Sequence, residues 1–250
     1  MHVRFTMTTP HPIWLFTAAL AMGCSDDKRA DDATHTATPN SVVALTPTEY
    51  NNTVRHLLGM PSSGSDWPDA PDIADRLNAS QGDQAGLFGT GATELPPWPW
   101  PFPPETGVSG FDGIIEGQDT SAYRVEEFQR AAVHFGSFTL IAPEFFTCDD
   151  WGNLPTEDQA KCAQESLIRF AQRAWRRPIE SDERSRLVTA LQTSWGNGDP
   201  EEAVVLTAAG VLQSPQFIFR VEVGEGPEDT DGSVSLSSWE VASRLSYLLW

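Results

Sequence analysis

The chain has 250 residues, 16 Lys plus Arg against 35 Asp plus Glu, and a formal charge of −19. Such acidity excludes nucleic acid, whose phosphates need a basic surface, and electrostatic docking on anionic lipid. Three cysteines are too few for a disulfide-built mini-protein, and 40% hydrophobic residues fill a sizeable core, so the expected class is an acidic, soluble, globular protein.

Residues 1–23 read as an export signal. Arg4 and no acid precede an apolar run from Ile13 to Met22, and Gly23-Cys24 follows. The run is shorter than the roughly 20 residues of a spanning helix, and its order of basic, apolar and small residues is that of a signal peptide. Cys24, directly after Ala21-Met22-Gly23, makes the segment resemble a bacterial lipoprotein signal, which implies acylation at Cys24. An ordinary secretory signal with an incidental Cys is the alternative. The expected place is the cell envelope, as an outer-membrane lipoprotein whose membrane contact is a lipid anchor; Ser25 rather than Asp after the Cys points to the outer membrane by sorting rules known from such lipoproteins. Residues 24–44 are expected as a disordered tether, because SDDKRADDATHTATPNS (25–41) has no apolar periodicity.

Thr46-Pro47-Thr48-Glu49 spells a capping box with Pro at the first helical position. Leu45 can staple to Tyr50, and Tyr50, Val54, Leu57 and Leu58 form one apolar stripe that Gly59 stops. Residues 60–110 are rich in Pro, Gly, Ser and Asp and read as a long insertion loop with one helical turn near Ile73 to Leu77. Asp66, Asp69, Asp72 and Asp75 recur there every third residue. They read as a solvated acidic linker or a calcium site; without the EF-type Gly and distal Glu the linker is favoured, and no metal is assigned. Trp98, Trp100 and Phe102 alternate with prolines. Exposed, they are candidate aromatic binders for a glycan or an envelope-protein partner. Buried across a helical core they anchor the loop, and the cost of leaving aromatic area wet favours burial.

A second helix is expected from Ser121 to Phe138, with Val125, Phe128, Ala132 and Phe135 on its core face. A third is expected to open at a capping box, Thr156 to Gln159, and to run to Trp175, with Ala163, Leu167, Phe170, Ala171 and Ala174 inward and Pro178 ending it. A fourth spans about Asp182 to Trp195, before Gly196-Asn197-Gly198. The fifth opens at Asp199-Pro200-Glu201-Glu202, and its run AVVLTAAGVL is apolar nearly all round, so it is the expected most buried helix. Ser214-Pro215 breaks it; QFIFRVEV (216–223) reads as a short strand or a buried turn, and 224–232 as an acidic loop. A sixth helix starts at Ser237-Ser238-Trp239-Glu240 and still runs at Trp250, so the chain reads as a fragment. The expected fold class is all-α: short-to-medium helices in a bundle-like arrangement with a long Pro/Gly/Asp-rich insertion loop. Residues 45–138 are read as an N-terminal helical module with the long loop, 139–198 as an Arg-rich helical module, and 199–250 as the truncated start of a third.

Cys148 and Cys162, in an oxidising compartment, are expected as a disulfide closing a short loop. Metal binding by them is the poorer alternative, with no His nearby and no Cys-x-x-Cys. Arg169, Arg173, Arg176 and Arg177 fall on one side of the third helix, the last two at its C-terminal turn. They are candidate anion binders for phosphate, sulfate or uronate; pairing with Glu180, Asp182 and Glu183 just beyond is the alternative, favoured by the abundance of acids. His56 and His134 lie on different helices and read as surface imidazoles, a tertiary metal site or triad being the lesser alternative. Glu126-Glu127 and Glu201-Glu202 point apart on their helices and are poor pairs for acid and base work. No dinucleotide fingerprint, Walker loop, HExxH, nucleophile elbow, haem-attachment motif or repeat occurs. No catalytic residue and no cofactor is assigned, and whether the chain is an enzyme stays open.

LTPTEYNNTVRHLLG (45–59) and FPPETGVSGFDG (102–113) resemble the two halves of the opening module of large exported planctomycete- and myxobacterial-type proteins. CAQESLIRFAQRAWRRPIESDE (162–183) resembles their second module, and LQSPQFIFRVEVGE (212–225) with LSSWEVASRLSYLLW (236–250) the start of a third. These are domains of unknown function 1587, 1595 and 1592. His56 stands where that pattern more often has Asp, and the stretch from Asp66 to Pro97 looks divergent. The resemblance implies an exported, largely helical, multi-module protein, with c-type cytochrome or carbohydrate-binding modules in some relatives, and brings no catalytic residues. The expected function is a binding or scaffold component of the cell envelope. The alternative is a component of a periplasmic or outer-membrane system, either redox and c-type cytochrome-associated or polysaccharide-processing.

Overall fold

The computed structural model of the chain describes residues 42–73, 77, 98–102, 122–227, 230 and 233–248. The expectations for the export signal, Cys24, the tether through Ser41, Asp75, most of the long loop and the last two residues lie outside these. The described helices are α1 (Pro47–Leu58), α2 (Ala122–Ser137), α3 (Thr156–Trp175), α4 (Ser181–Asn197), α5 (Pro200–Leu212), the single turn α6 (Pro215–Ile218) and α7 (Ser238–Leu248). Two strands, β1 (Val42–Ala44) and β2 (Phe219–Val221), pair antiparallel with Val43 opposite Arg220. The class is all-α and the packing bundle-like.

The capping box of α1 forms as read. Glu49 N donates to Thr46 Oγ1 (3.2 Å) and Thr46 N to Glu49 Oε2 (2.8 Å). Gly59 closes the helix in the left-handed region at φ 66°. α5 is the hub, packing against α2, α3 and α4. Its sequence is apolar on every side, so burial is favourable all round, and the Thr207 hydroxyl turns back to Ala203 O (2.7 Å) to leave no donor unmet. The crossing with α2 is close: a Cβ added at Gly136 meets Val205 O at 2.9 Å, which only Gly avoids. One hydrophobic core results, with members from all three expected stretches, 45–138, 139–198 and 199–250.

Five local expectations need correction. Residues 42–44, placed in the tether, form β1, because Val42-Val43 is a β-branched run with a partner in β2. The segment after Pro215 is both a helical turn and a strand, α6 and then β2. Thr156 is the first residue of α3 rather than its cap; Pro155 takes the cap position, with no side-chain bond. Val125 is 53% exposed, and Glu127 takes the inward position on α2 instead. His134 is buried rather than on a surface, its ring about 5.3 Å from those of Trp100 and Phe138.

The Trp-Pro segment is built into the core. Trp100 is 4% exposed, while Trp98 and Phe102 are partly buried against the core. Asn51 clasps the Trp100 main chain from both sides, accepting from its N (2.8 Å) and donating to its O (3.1 Å). Trp100 Nε1 donates to Glu127 Oε2 (3.1 Å), Arg130 Nη1 donates to Glu127 Oε1 (2.7 Å), and Trp98 Nε1 donates to Asn51 O (3.1 Å). These bonds keep a buried carboxylate compensated.

Candidate functional site

The C-terminal half of α3 presents a row of guanidinium groups because Arg169, Arg173 and Arg176 recur at helical spacing opposite the buried face of Phe170, Ala171 and Ala174. α7 faces this row. Between them lies a cleft of about 580 Å³ lined by Arg169, Gln172, Arg173, Arg176 and Arg177 on one wall and by Trp239, Ala242, Ser243 and Ser246 on the other. A second cavity of about 620 Å³ adjoins it, sharing Arg176, Arg177, Trp239 and Ser243, and is lined further by β2 and by Glu180, Glu222, Glu225 and Glu240. All four arginines expected as anion binders therefore come together at one cleft, while Trp100 lies in the core and Trp98 and Phe102 pack partly buried against it.

The four differ in their engagement. Arg177 grips the buried Glu183 through both terminal nitrogens (2.9 and 2.6 Å). This bond raises Arg177 above its ordinary pKa and holds Glu183 below the usual carboxylate range. That is the local pairing the neighbouring acids favoured; Asp182 instead pairs with Arg186 (2.9 Å). Arg169 places Nη2 on the carbonyls of Glu144, Phe145 and Phe146 (2.7–3.3 Å). Arg173 reaches His56 O (3.2 Å) and, at 3.6 Å, the exposed Glu144 carboxylate.

Arg176 is the unusual member. It closes α3 in the left-handed region at φ 54°, where a side chain is strained. Its guanidinium donates to Thr53 Oγ1 (3.0 Å) and to the Tyr247 hydroxyl, both neutral. It lies 4.2 Å from the Tyr247 ring centroid, and Arg220 lies 5.0 Å from the same centroid. Glu49 is the carboxylate at this cluster, 3.6 Å from Arg220. Among the described residues, two guanidinium groups thus share one carboxylate around a buried tyrosine, and Arg220 Nε is buried with no hydrogen-bond partner. Burial pushes Arg176 below its ordinary pKa and raises Tyr247. The cluster has excess positive charge in a partly dry place, where an arriving anion gains most.

Glu240 fastens α7 beside the cleft. Its carboxylate accepts from Val223 N (2.7 Å), Gly224 N (3.0 Å) and Ser237 N (2.7 Å), and Glu240 N donates to Ser237 Oγ. Burial works to raise its pKa, but the bonds from Gly224, Ser237 and Val223 prevail and hold it at about 2 against an ordinary 4.5. A depressed carboxyl contributes stability that is fully present above pH 4.5 and lost as pH falls through about 2. Glu240→Gln is expected to cost about 1 kcal/mol at pH 7, as for a lost cap, kept small by solvent screening. It should also flatten the acid limb of thermal stability between those pH values. Melting curves from pH 7 to 2 check this, and an acid limb identical in variant and parent contradicts it.

Sequence reasoning found the arginines but missed Trp239, Tyr247, Arg220 and Glu144 as parts of the site. In the sequence, Ser237-Ser238-Trp239-Glu240 reads as a helix start, and 212–225 with 236–250 reads as resembling the start of a third module, with no site residue assigned in either. Among the described residues no group of three or more His, Cys, Asp or Glu sits together as a metal site, and no helix is long and apolar enough to cross a membrane.

Residues 162–222 match a family described as Protein of unknown function (DUF1595). The matched stretch runs from α3 to the end of β2 and holds the four cleft arginines and Arg220. No curated protein and no solved structure matches the chain.

Proposed function

We propose that the chain is an exported, lipid-anchored cell-envelope component that acts by binding, and that the cleft between α3 and α7 is its receptor for an anionic group on the ligand. The observation that carries this is the charge imbalance: four arginines line one cleft, among the described residues only Arg177 of the four is matched by a buried carboxylate, and Arg176 shares Glu49 with Arg220. A guanidinium held in place beforehand needs little reordering to grip a carboxylate or phosphate oxygen. The basic–apolar–small signal and the Cys24 that follows it support export and the anchor. The strings 45–59 and 236–250 support two neighbouring modules of the types numbered 1587 and 1592, flanking the matched stretch.

Glutarate is a suitable probe, being a small flexible dicarboxylate with no other recognition feature. Its titration is expected to move the side-chain Nε–H signals of Arg169 and Arg173 in a nitrogen–proton correlation spectrum. Arg173→Gln, at a half-exposed side chain, should weaken the dissociation constant about tenfold. No movement of these signals, or equal binding by Arg173→Gln, rejects the receptor. The anchor has its own test. Mass spectrometry of membrane-extracted protein should find a mature chain starting at Cys24 with a diacylglyceryl adduct, and an unmodified Cys24 sinks the anchor.

A further inference from the structure

We infer that the ligand of the cleft is a carboxylate-bearing saccharide: an acidic pyranose whose carboxylate meets the arginine wall and whose ring face meets Trp239. This rests on the anion-receptor reading above and names its ligand class. Trp239 is 51% exposed at the start of α7, yet it lines both cavities. An indole left half in water at a cleft mouth is a flat apolar platform, which suits the C–H face of a sugar ring. Gln172, Ser243 and Ser246 stand on the same walls with amide and hydroxyl groups suited to ring hydroxyls. A uronate ring also holds its carboxylate rigidly, so little freedom is lost when Arg169 and Arg173 grip it.

Three probes against the full chain separate the possibilities: an aldotriouronic acid with one uronate on two neutral rings, neutral xylotriose, and triglutamate. The aldotriouronic acid is expected to bind at least about tenfold more tightly than each of the others. Trp239→Ala, at an exposed position, is expected to weaken it about tenfold, and equal binding by this variant overturns the sugar platform. Triglutamate binding as tightly overturns the saccharide and leaves the anion receptor standing. Glutarate binding with no sugar binding overturns this inference alone, and failure of glutarate together with every sugar overturns the receptor as well.

Discussion

Trp100→Ala is expected to destabilise the fold by about 3–5 kcal/mol, the range for truncating a large buried aromatic. Two costs combine. The first is the void left by a ring that is 4% exposed and packed beside His134, with Arg130 stacked 5.7 Å from its centroid. The second is electrostatic. Glu127 is buried and accepts one bond from Trp100 Nε1 and another from Arg130, so losing the indole leaves half of a buried carboxylate unserved. Trp100→Phe separates the two, keeping most of the volume and removing the donor; it should cost about 1–3 kcal/mol. Urea unfolding followed by circular dichroism measures both. A loss below about 1 kcal/mol for Trp100→Ala would mean that the Trp-Pro segment is not an anchor of the core. Asn51→Ala acts on the same segment from the other side, because its amide is what pairs the Trp100 main chain with α1.

That anchor also shows where sequence reading stops. α1 was legible because its signals are local: cap, Pro and box lie within four residues, and Gly59 meets the left-handed stop. α5 was legible because a helix apolar on all sides has no choice but to be central. The Arg177–Glu183 pair was legible for the same reason, six residues apart across one turn. The apolar stripe puts Val125 inward by periodicity alone, and nothing local shows that Glu127 is drawn inward by an indole donor 27 residues away. The Arg176–Tyr247 contact spans 71 residues and no periodicity points to it. So the arginine row was visible as a row, but the opposing α7 wall was a product of tertiary packing. The expectation that local acids neutralise the whole row holds for Arg177 and not for Arg176, whose hydrogen-bond partners are neutral.

Replacing both Cys148 and Cys162 by Ala is expected to cost about 3 kcal/mol, the chain-entropy value for a loop of this size, and to weaken glutarate binding several-fold. The bond joins two residues 14 apart with Cα atoms at 6.1 Å. It closes the stretch that leads into α3, which is packed by Phe146 stacking on Trp151 (4.6 Å) and tied by Thr147 N donating to Ser166 Oγ (2.9 Å). The residues just before Cys148, outside the closed loop, supply the three carbonyls that hold Arg169 and the Glu144 carboxylate beside Arg173. The disulfide therefore positions the cationic wall as well as stabilising the fold. Unfolding curves and glutarate titrations of the double variant, both done where the variant is folded, separate these roles. A stability loss with unchanged glutarate affinity rejects the link to the wall and leaves the structural role intact. On the export reading the link has a consequence in the cell. A reducing cytosol leaves the two thiols unjoined, and an oxidising envelope joins them.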